Sequence, residues 1–479
     1  MKRLLAVGVV GLAMAIAGSV NLSSQQPAHS SSPTFTKDIA PIMFKHCVQC
    51  HRPGEVAPMS LLSYEEVRPW ARAIKSKTAS REMPPWGADP DQGLKMRNDP
   101  SLSKAQIDTI AAWVDAGAPR GNAADLPPAP RFAEGWTYGR EPDYVLEMPI
   151  EFDIPAEGEL GVQMFYSKVP FEEDRFAEIL EIRPGNRAVV HHAGVFVVDI
   201  PEGTTLVNGR LIGKDGKVIA DRRSPGLPST GGMGLPGASK LLSWVPGRGV
   251  DRHRPNVGKR IPAGKYINWQ VHYNPTGKPE KDRTRLGIWF NKVPVTHEVL
   301  IRQAGDPIAT NRAGLSLYRA EGKEIEYAAE EGSTRRRGAT PNIPPYVENW
   351  ELIGITAVTE PITLYAMSPH MHLRGKSLKW IVTWPDGRDE VILNVPRFDF
   401  NWQFNYELDE PLRLPAGSKI TGIGVYDNSP KNRWNPAPNL PVYWSEQSWD
   451  EMYQAFTEYS VDSQVVIPVP RLTTQQQQR

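Results

Sequence analysis

The sequence predicts a multidomain chain in which a small all-α domain near the N-terminus precedes an all-β region long enough for two further domains. Three observations carry this. At 479 residues the chain has room for about three domains of ~150 residues. Helical periodicity with capping residues is concentrated in residues 33–120. Beyond that stretch the apolar residues alternate, and the 45 prolines and 40 glycines interrupt helices and favour short strands joined by loops.

At the N-terminus, Lys2 and Arg3 precede an apolar run from Leu4 to Ala17, and Ala15-Ile16-Ala17 offers a small-residue cleavage site. Residues 1–32 therefore read as a signal peptide and polar linker. The run is short for a membrane span, although its extension to Val20 keeps a retained anchor as an alternative. The expectation is a periplasmic or secreted protein with no stable membrane insertion after cleavage. With 55 basic against 54 acidic residues, there is no net field to draw nucleic acid.

In the helical segment, Asp38 is positioned to cap a short helix carrying Ile39, Ile42 and Met43 on one face. Ser63 with Glu66, and Ser103 with Gln106, form capping boxes ahead of apolar runs, and Pro69 should split the first of these helices. Between them lies Cys47-Val48-Gln49-Cys50-His51, a c-type haem attachment signature. Each thiol can add to one vinyl group while His51 takes an axial position on iron. A redox dithiol and half of a zinc site are the alternatives, but the first needs a βαβ setting and the second needs partner ligands. These are the only two cysteines, so once they hold haem no disulfide is possible. Three short helices around a haem resemble a small class I cytochrome c. Met83, followed by Pro84 and Pro85, is the candidate sixth ligand, with Met59 and Met96 as rivals.

A proline-rich, aromatic linker over 121–145 leads into the β region. Strands are expected around Ala188–Val198, which contains His191-His192, and over Tyr266–Tyr273, which contains His272. A hairpin joins Leu378–Trp384 to Val391–Leu393 through Pro385-Asp386-Gly387. Gly226–Gly249 reads as a long loop, and Arg319–Arg337 as a charged insertion. His370-Met371-His372 places two imidazoles on the same face of a strand, a chelating geometry. His191 and His192 point to opposite faces unless the strand bends there. His253 and His297, flanked by charged residues, read as solvated.

Taken together these residues resemble the copper type II, ascorbate-dependent monooxygenases, the family of dopamine β-monooxygenase and peptidylglycine α-hydroxylating monooxygenase. The match runs through His191-His192, Gln270-Val271-His272-Tyr273-Asn274-Pro275, His370-Met371-His372-Leu373-Arg374-Gly375 and Asp450-Glu451-Met452, over residues 140–465. The resemblance implies two β-sandwich (jelly-roll-like) copper domains at 146–305 and 306–465, with a polar tail at 466–479. It implies two copper ions beside the one haem c, the first held by His191, His192 and His272 and the second by His370, His372 and Met452. A thioether is soft and suits Cu(I), so the catalytic residues are expected to be His370, His372 and Met452. The implied activity is hydroxylation of a C–H bond in a small-molecule substrate by dioxygen. A periplasmic electron donor feeding the haem would supply electrons.

The chain also departs from the family. It cannot make the animal enzymes' disulfides, and the arginine that anchors a peptide carboxylate in the peptidylglycine enzyme is replaced by Ser368. Phe456 and Gln454 replace a tyrosine and an asparagine near the copper methionine. These changes point away from glycine-extended peptides and toward a neutral or aromatic substrate. A non-enzymatic haem and copper electron carrier is the main alternative, and a haem peroxidase or oxidase with an open sixth site is a third.

Overall fold

The computed structural model describes residues 32–55, 57–132, 135–158, 160–218, 239–246, 248–304, 316–318, 342–443 and 448–466. The expected signal segment, the charged insertion and nearly all of the polar tail lie outside them. Among the described residues, no helix is long and apolar enough to cross a membrane.

Apolar residues at helical spacing near the N-terminus bury one face each in a common cluster of Phe35, Ile39, Met43, Val67, Ile74, Ile110 and Trp113. Both capping boxes form: the Ser63 and Ser103 hydroxyls accept from the backbone N–H of Glu66 and Gln106, whose side chains reach back to the caps. Pro69 has no N–H to continue an α-helical ladder, and the chain there divides into Tyr64–Val67, a 3-10 turn Arg68–Trp70, and Ala71–Ala79. Asp38 sits inside the first helical turn, where its carboxylate accepts from the Thr34 N–H at 2.7 Å.

The expected fold class, a small all-α cytochrome c domain ahead of two β-sandwich (jelly-roll-like) copper domains, requires correction. Among the described residues the structure is mostly β, 37% strand against 12% helix, in a four-bladed, propeller-like arrangement, and the α-helices there span only 4 to 12 residues. The helical region is also not self-contained. From Trp86 onward the chain runs across the C-terminal β region, bridging Gly93 to Leu393 and Met96 to Leu408. Trp86 packs on Tyr406 with ring centroids 4.5 Å apart, and Trp86 and Met96 belong to the C-terminal core. The apolar residues of this segment are thus buried by strands, not by helices.

Four larger sheets make up the β region. The first orders Tyr144–Glu147, Arg285–Phe290, Arg175–Arg183, Val257–Ile261 and His297–Glu298, and the second Gln163–Lys168, Tyr266–Tyr273, Val190–Val198 and Ser239–Trp244. Alternating apolar residues of both meet in one core around Phe165, Val195, Trp269 and Ile288. The third orders Leu300–Gln303, Gln454–Val461, Ile362–His370 and Tyr406–Leu414, and the fourth Ser316–Tyr318, Trp350–Ala357, Lys419–Tyr426, Gly375–Thr383 and Asp389–Val395. They share a second core around Leu364, Leu378, Trp380 and Tyr426. The hairpin forms around Pro385-Asp386-Gly387, with Gly387 at a φ of +86°. The region read as one loop from Gly226 contains the Ser239–Trp244 strand.

Candidate metal centre

Strands Val190–Val198 and Tyr266–Tyr273 pair antiparallel, with His192 opposite His272. The next pair is Tyr273 with Val190, so His191 is an extra residue opposite no partner, a β-bulge. The bulge supplies the bend that two adjacent histidines need to serve one site. The rings of His191, His192 and His272 lie 5.0 to 5.4 Å apart, and their ligand atoms fall within 4.8 Å of one another, the only such group of His, Cys, Asp or Glu among the described residues. Burial, then the neighbouring His272 and His191 imidazoles, holds His192 well below its ordinary pKa, and burial also lowers His191. Both rings are therefore neutral at pH 7, the form that binds metal. Asn401 Oδ1 lies 3.3 Å from His191 Nε2.

The second set comes from the other half of the chain. His370 closes the strand Ile362–His370, Met371 points into the core, and His372 follows, so the two imidazoles share a face at 5.3 Å. The Nδ1–H of His370 donates to Gln403 Oε1, and that of His372 to the Asp450 carbonyl at 3.2 Å. Both bonds select the tautomer whose Nε2 carries the lone pair. Burial, then His372 and Lys240, lowers His370 to about 3. Met452 lines the same cavity as His370 and His372.

Glu451 holds this second set together, and the sequence reading passed over it. Its buried carboxyl accepts from the backbone N–H of His372 at 2.8 Å, Arg374 at 2.6 Å and Met452 at 3.3 Å. Burial pushes it up to about 8 despite these donors and the Arg374 guanidinium. The chain around His372 is thereby pinned to the chain carrying Met452. Gly375 makes the turn possible, because a Cβ there would lie 2.6 Å from that of Met371.

The two sets face each other. A cavity of about 100 Å³ is lined by His192 from one and His370, His372 and Met452 from the other. The Phe400 ring stands between them, 5.1 Å from His191, 6.2 Å from His192 and 5.7 Å from His372. An open cleft of about 890 Å³ reaches His191, His272 and His372 from outside.

The Cys47–His51 segment leaves the C-terminal end of helix Ala40–His46, and the N–H groups of Cys50 and His51 donate to the Cys47 carbonyl. Both cysteines are free thiols. Burial pushes Cys47 up to about 12 and also raises Cys50, the opposite of the lowered pKa a redox dithiol uses. The Nδ1–H of His51 donates to the Met59 carbonyl at 3.2 Å. Met83 lines a separate cavity of about 260 Å³ with Trp86, Met96 and Leu102, and no residue of the His51 turn lines it. Glu55, just past His51, pairs with Arg187 at 2.5 Å, four residues before His191. Cys50 shares a cavity of about 30 Å³ with Arg187 and Trp244. Trp244 also lines the cavity between the two histidine sets, and its register partner is Ala193, next to His192.

His253, expected in solvent, is instead 8% exposed. It is wedged where Glu407 and Glu458 of the C-terminal half meet Asp251, and burial, then Lys259, lowers it to about 4.

No family model and no curated protein matches the chain. Among solved structures, it is similar to a structure of allantoicase (7% identity, 58% of this chain and 81% of that one, TM-score 0.16). It is also similar to infectious bursal disease virus Gt strain (10% identity, 67% and 73% coverage, TM-score 0.15) and to oxalate decarboxylase from Bacillus subtilis (10% identity, 72% and 81% coverage, TM-score 0.11). Likenesses at these scores carry no argument about fold or activity.

Proposed function

We propose that the protein is an exported copper-dependent monooxygenase of the copper type II, ascorbate-dependent kind. It hydroxylates a C–H bond of a small organic substrate, with electrons delivered through a covalently attached c-type haem. The observation that carries this reading is that the clustered imidazoles of His191, His192 and His272 from one half of the chain meet the His370, His372 and Met452 set from the other at one cavity, with the Phe400 ring against His191, His192 and His372. In balance, R–H, dioxygen, two electrons and two protons give R–OH and water.

The donor atoms suit the metal. Neutral imidazoles favour copper, and a thioether beside two imidazoles favours its reduced state. Copper bound by these residues would supply one-electron chemistry toward dioxygen. The chain's own part is positioning: Gln403 and the Asp450 carbonyl orient His370 and His372, Glu451 fixes Met452 relative to them, and Phe400 keeps an apolar wall between the sets. The cleft at His191, His272 and His372 gives a substrate access.

Cys47, Cys50 and His51 would hold the haem, which supplies a one-electron store. The two thiols form no disulfide and burial raises both, unlike the lowered pKa of a redox dithiol. The Nδ1–H of His51 donates to the Met59 carbonyl, which leaves Nε2 as the atom that would hold the haem iron. Met96 is buried in the C-terminal core; Met83 is proposed as the sixth ligand on its Met83-Pro84-Pro85 sequence context, although the cavity it lines is not one that the described residues of the His51 turn reach. The Glu55–Arg187 pair and Trp244 support delivery of electrons toward His192 from a periplasmic one-electron donor. Haem attachment and the apolar run after Lys2 and Arg3 support export.

The test is turnover of the copper-loaded, reduced protein with isotopically heavy dioxygen and a panel of small aromatic and aliphatic compounds. One labelled oxygen atom should enter the product. Oxygen consumption that yields only water or peroxide would contradict the reading.

A further inference from the structure

The cavity between the histidine sets contains a cation that none of the proposed chemistry uses. Lys240 lies on the strand Ser239–Trp244, and its ammonium rests 4.2 Å from the centre of the Phe456 ring, contributed by the other half of the chain. Among the described residues no carboxylate is within ion-pair reach of it. The two nearby acids are already engaged: Glu458 with Lys259 at 3.3 Å, and Asp251 with Nε and Nη2 of Arg248 at 2.7 to 3.1 Å. No described residue lining the cavity is acidic. The same cavity is lined by the neutral side chains of Gln270, Gln403 and Gln454 and by the aromatic rings of Phe196, Trp244 and Phe456.

A buried ammonium with no paired carboxylate either gives up its proton or is completed by an anion. We propose that Lys240 makes this cavity a binding site for a small aromatic carboxylate, so that the substrate of the hydroxylation inferred above is an organic acid. The carboxylate takes a charge-assisted hydrogen bond from the ammonium, the Gln454 amide on the same wall offers a further N–H donor, and the aromatic walls receive the ring. A substrate fixed this way has its carbon chain beside His370, His372 and Met452, which line the same cavity. Burial lowers the Lys240 ammonium to about 7, and an incoming anion would restore its charge.

The proposal rests on the monooxygenase reading only for the word substrate, and the two fail separately. Phenylacetate and phenylacetamide, which has the same shape without the charge, are titrated calorimetrically into the full chain, once stripped of copper and once loaded. The metal-free protein should bind the acid about tenfold or more tightly than the amide. Lys240→Met should erase that preference and Lys240→Arg should keep it, with Lys240→Gln serving if the methionine variant does not fold. No preference in the wild type, or an intact preference in Lys240→Met, overturns the proposal. So does a preference that appears only with copper loaded, since the anion would then sit on the metal. Acid preference without oxygen uptake removes the enzyme reading and leaves the site, whereas uptake with neutral compounds and no acid preference does the reverse.

Discussion

Replacing Glu451 with alanine should damage one metal site and spare the other. The carboxyl accepts three backbone N–H groups, from His372, Arg374 and Met452, in a fully buried position. Truncation orphans all three donors. At about 1–3 kcal/mol for each buried unsatisfied group, partly relieved by relaxation and by no longer burying an acid, the loss should be about 3–5 kcal/mol. That is in the far tail for single substitutions. Because the same bonds hold His372 and Met452 in register, copper affinity at the His370, His372 and Met452 set should fall by about 10–100-fold. His191, His192 and His272 stand on the strands Val190–Val198 and Tyr266–Tyr273, apart from the segments those bonds hold, so their affinity should not change. Glu451→Gln keeps one acceptor oxygen and should lose about 1–3 kcal/mol, a milder form if the alanine variant does not fold. Urea unfolding of the metal-free protein, followed by copper titration with metal analysis, reads both effects. Stability within about 1 kcal/mol of wild type together with unchanged affinity at both sites would refute the clamp.

Three further outcomes are expected. Copper should be present at two per chain, with His272→Ala and His370→Ala each removing one; loss of both from either change would indicate a single shared site. His253 sits at about 4, below its ordinary value, so the unfolded chain binds the extra proton first. The stability this supplies is whole above about pH 6.5 and is lost as pH falls toward 4, by up to about 3 kcal/mol. His253→Asn should flatten that part of the pH–stability curve measured by urea titration. Met83→Ala should turn the haem iron high-spin or open it to carbon monoxide; the same change from Met59→Ala, and not from Met83→Ala, would move the axial ligand.

Parts of this molecule are visible in its sequence because they are local. The capping boxes at Ser63 and Ser103, the break at Pro69 and the turn at Gly387 depend on residues within a few positions of each other, and each forms. His370 and His372 share a face through the two-residue period of a strand. What the sequence hid depends on long-range pairing. The bulge at His191 follows from the register against Tyr266–Tyr273, which no local pattern specifies. The apparent independence of the helical segment failed because Trp86 and Met96, apolar in either context, are buried by the C-terminal strands. His253 looked solvated among arginines but is closed in by Glu407 and Glu458 from the opposite half. The pocket looked uncharged because Ser368 stands near the histidines, while its lysine arrives from a strand 128 positions earlier, at Lys240.

The central claim is that the His370, His372 and Met452 set is where dioxygen is consumed while His191, His192 and His272 only pass electrons. Met452→His, an exchange of a soft ligand for a harder one, tests it most directly in oxygen-uptake assays run beside stopped-flow oxidation of the reduced haem. The variant should retain two coppers and the haem-to-copper electron transfer, since the first set lies on other strands, while oxygen uptake coupled to hydroxylation falls by orders of magnitude. Oxygen consumption equal to the wild type would contradict the account and favour an electron carrier.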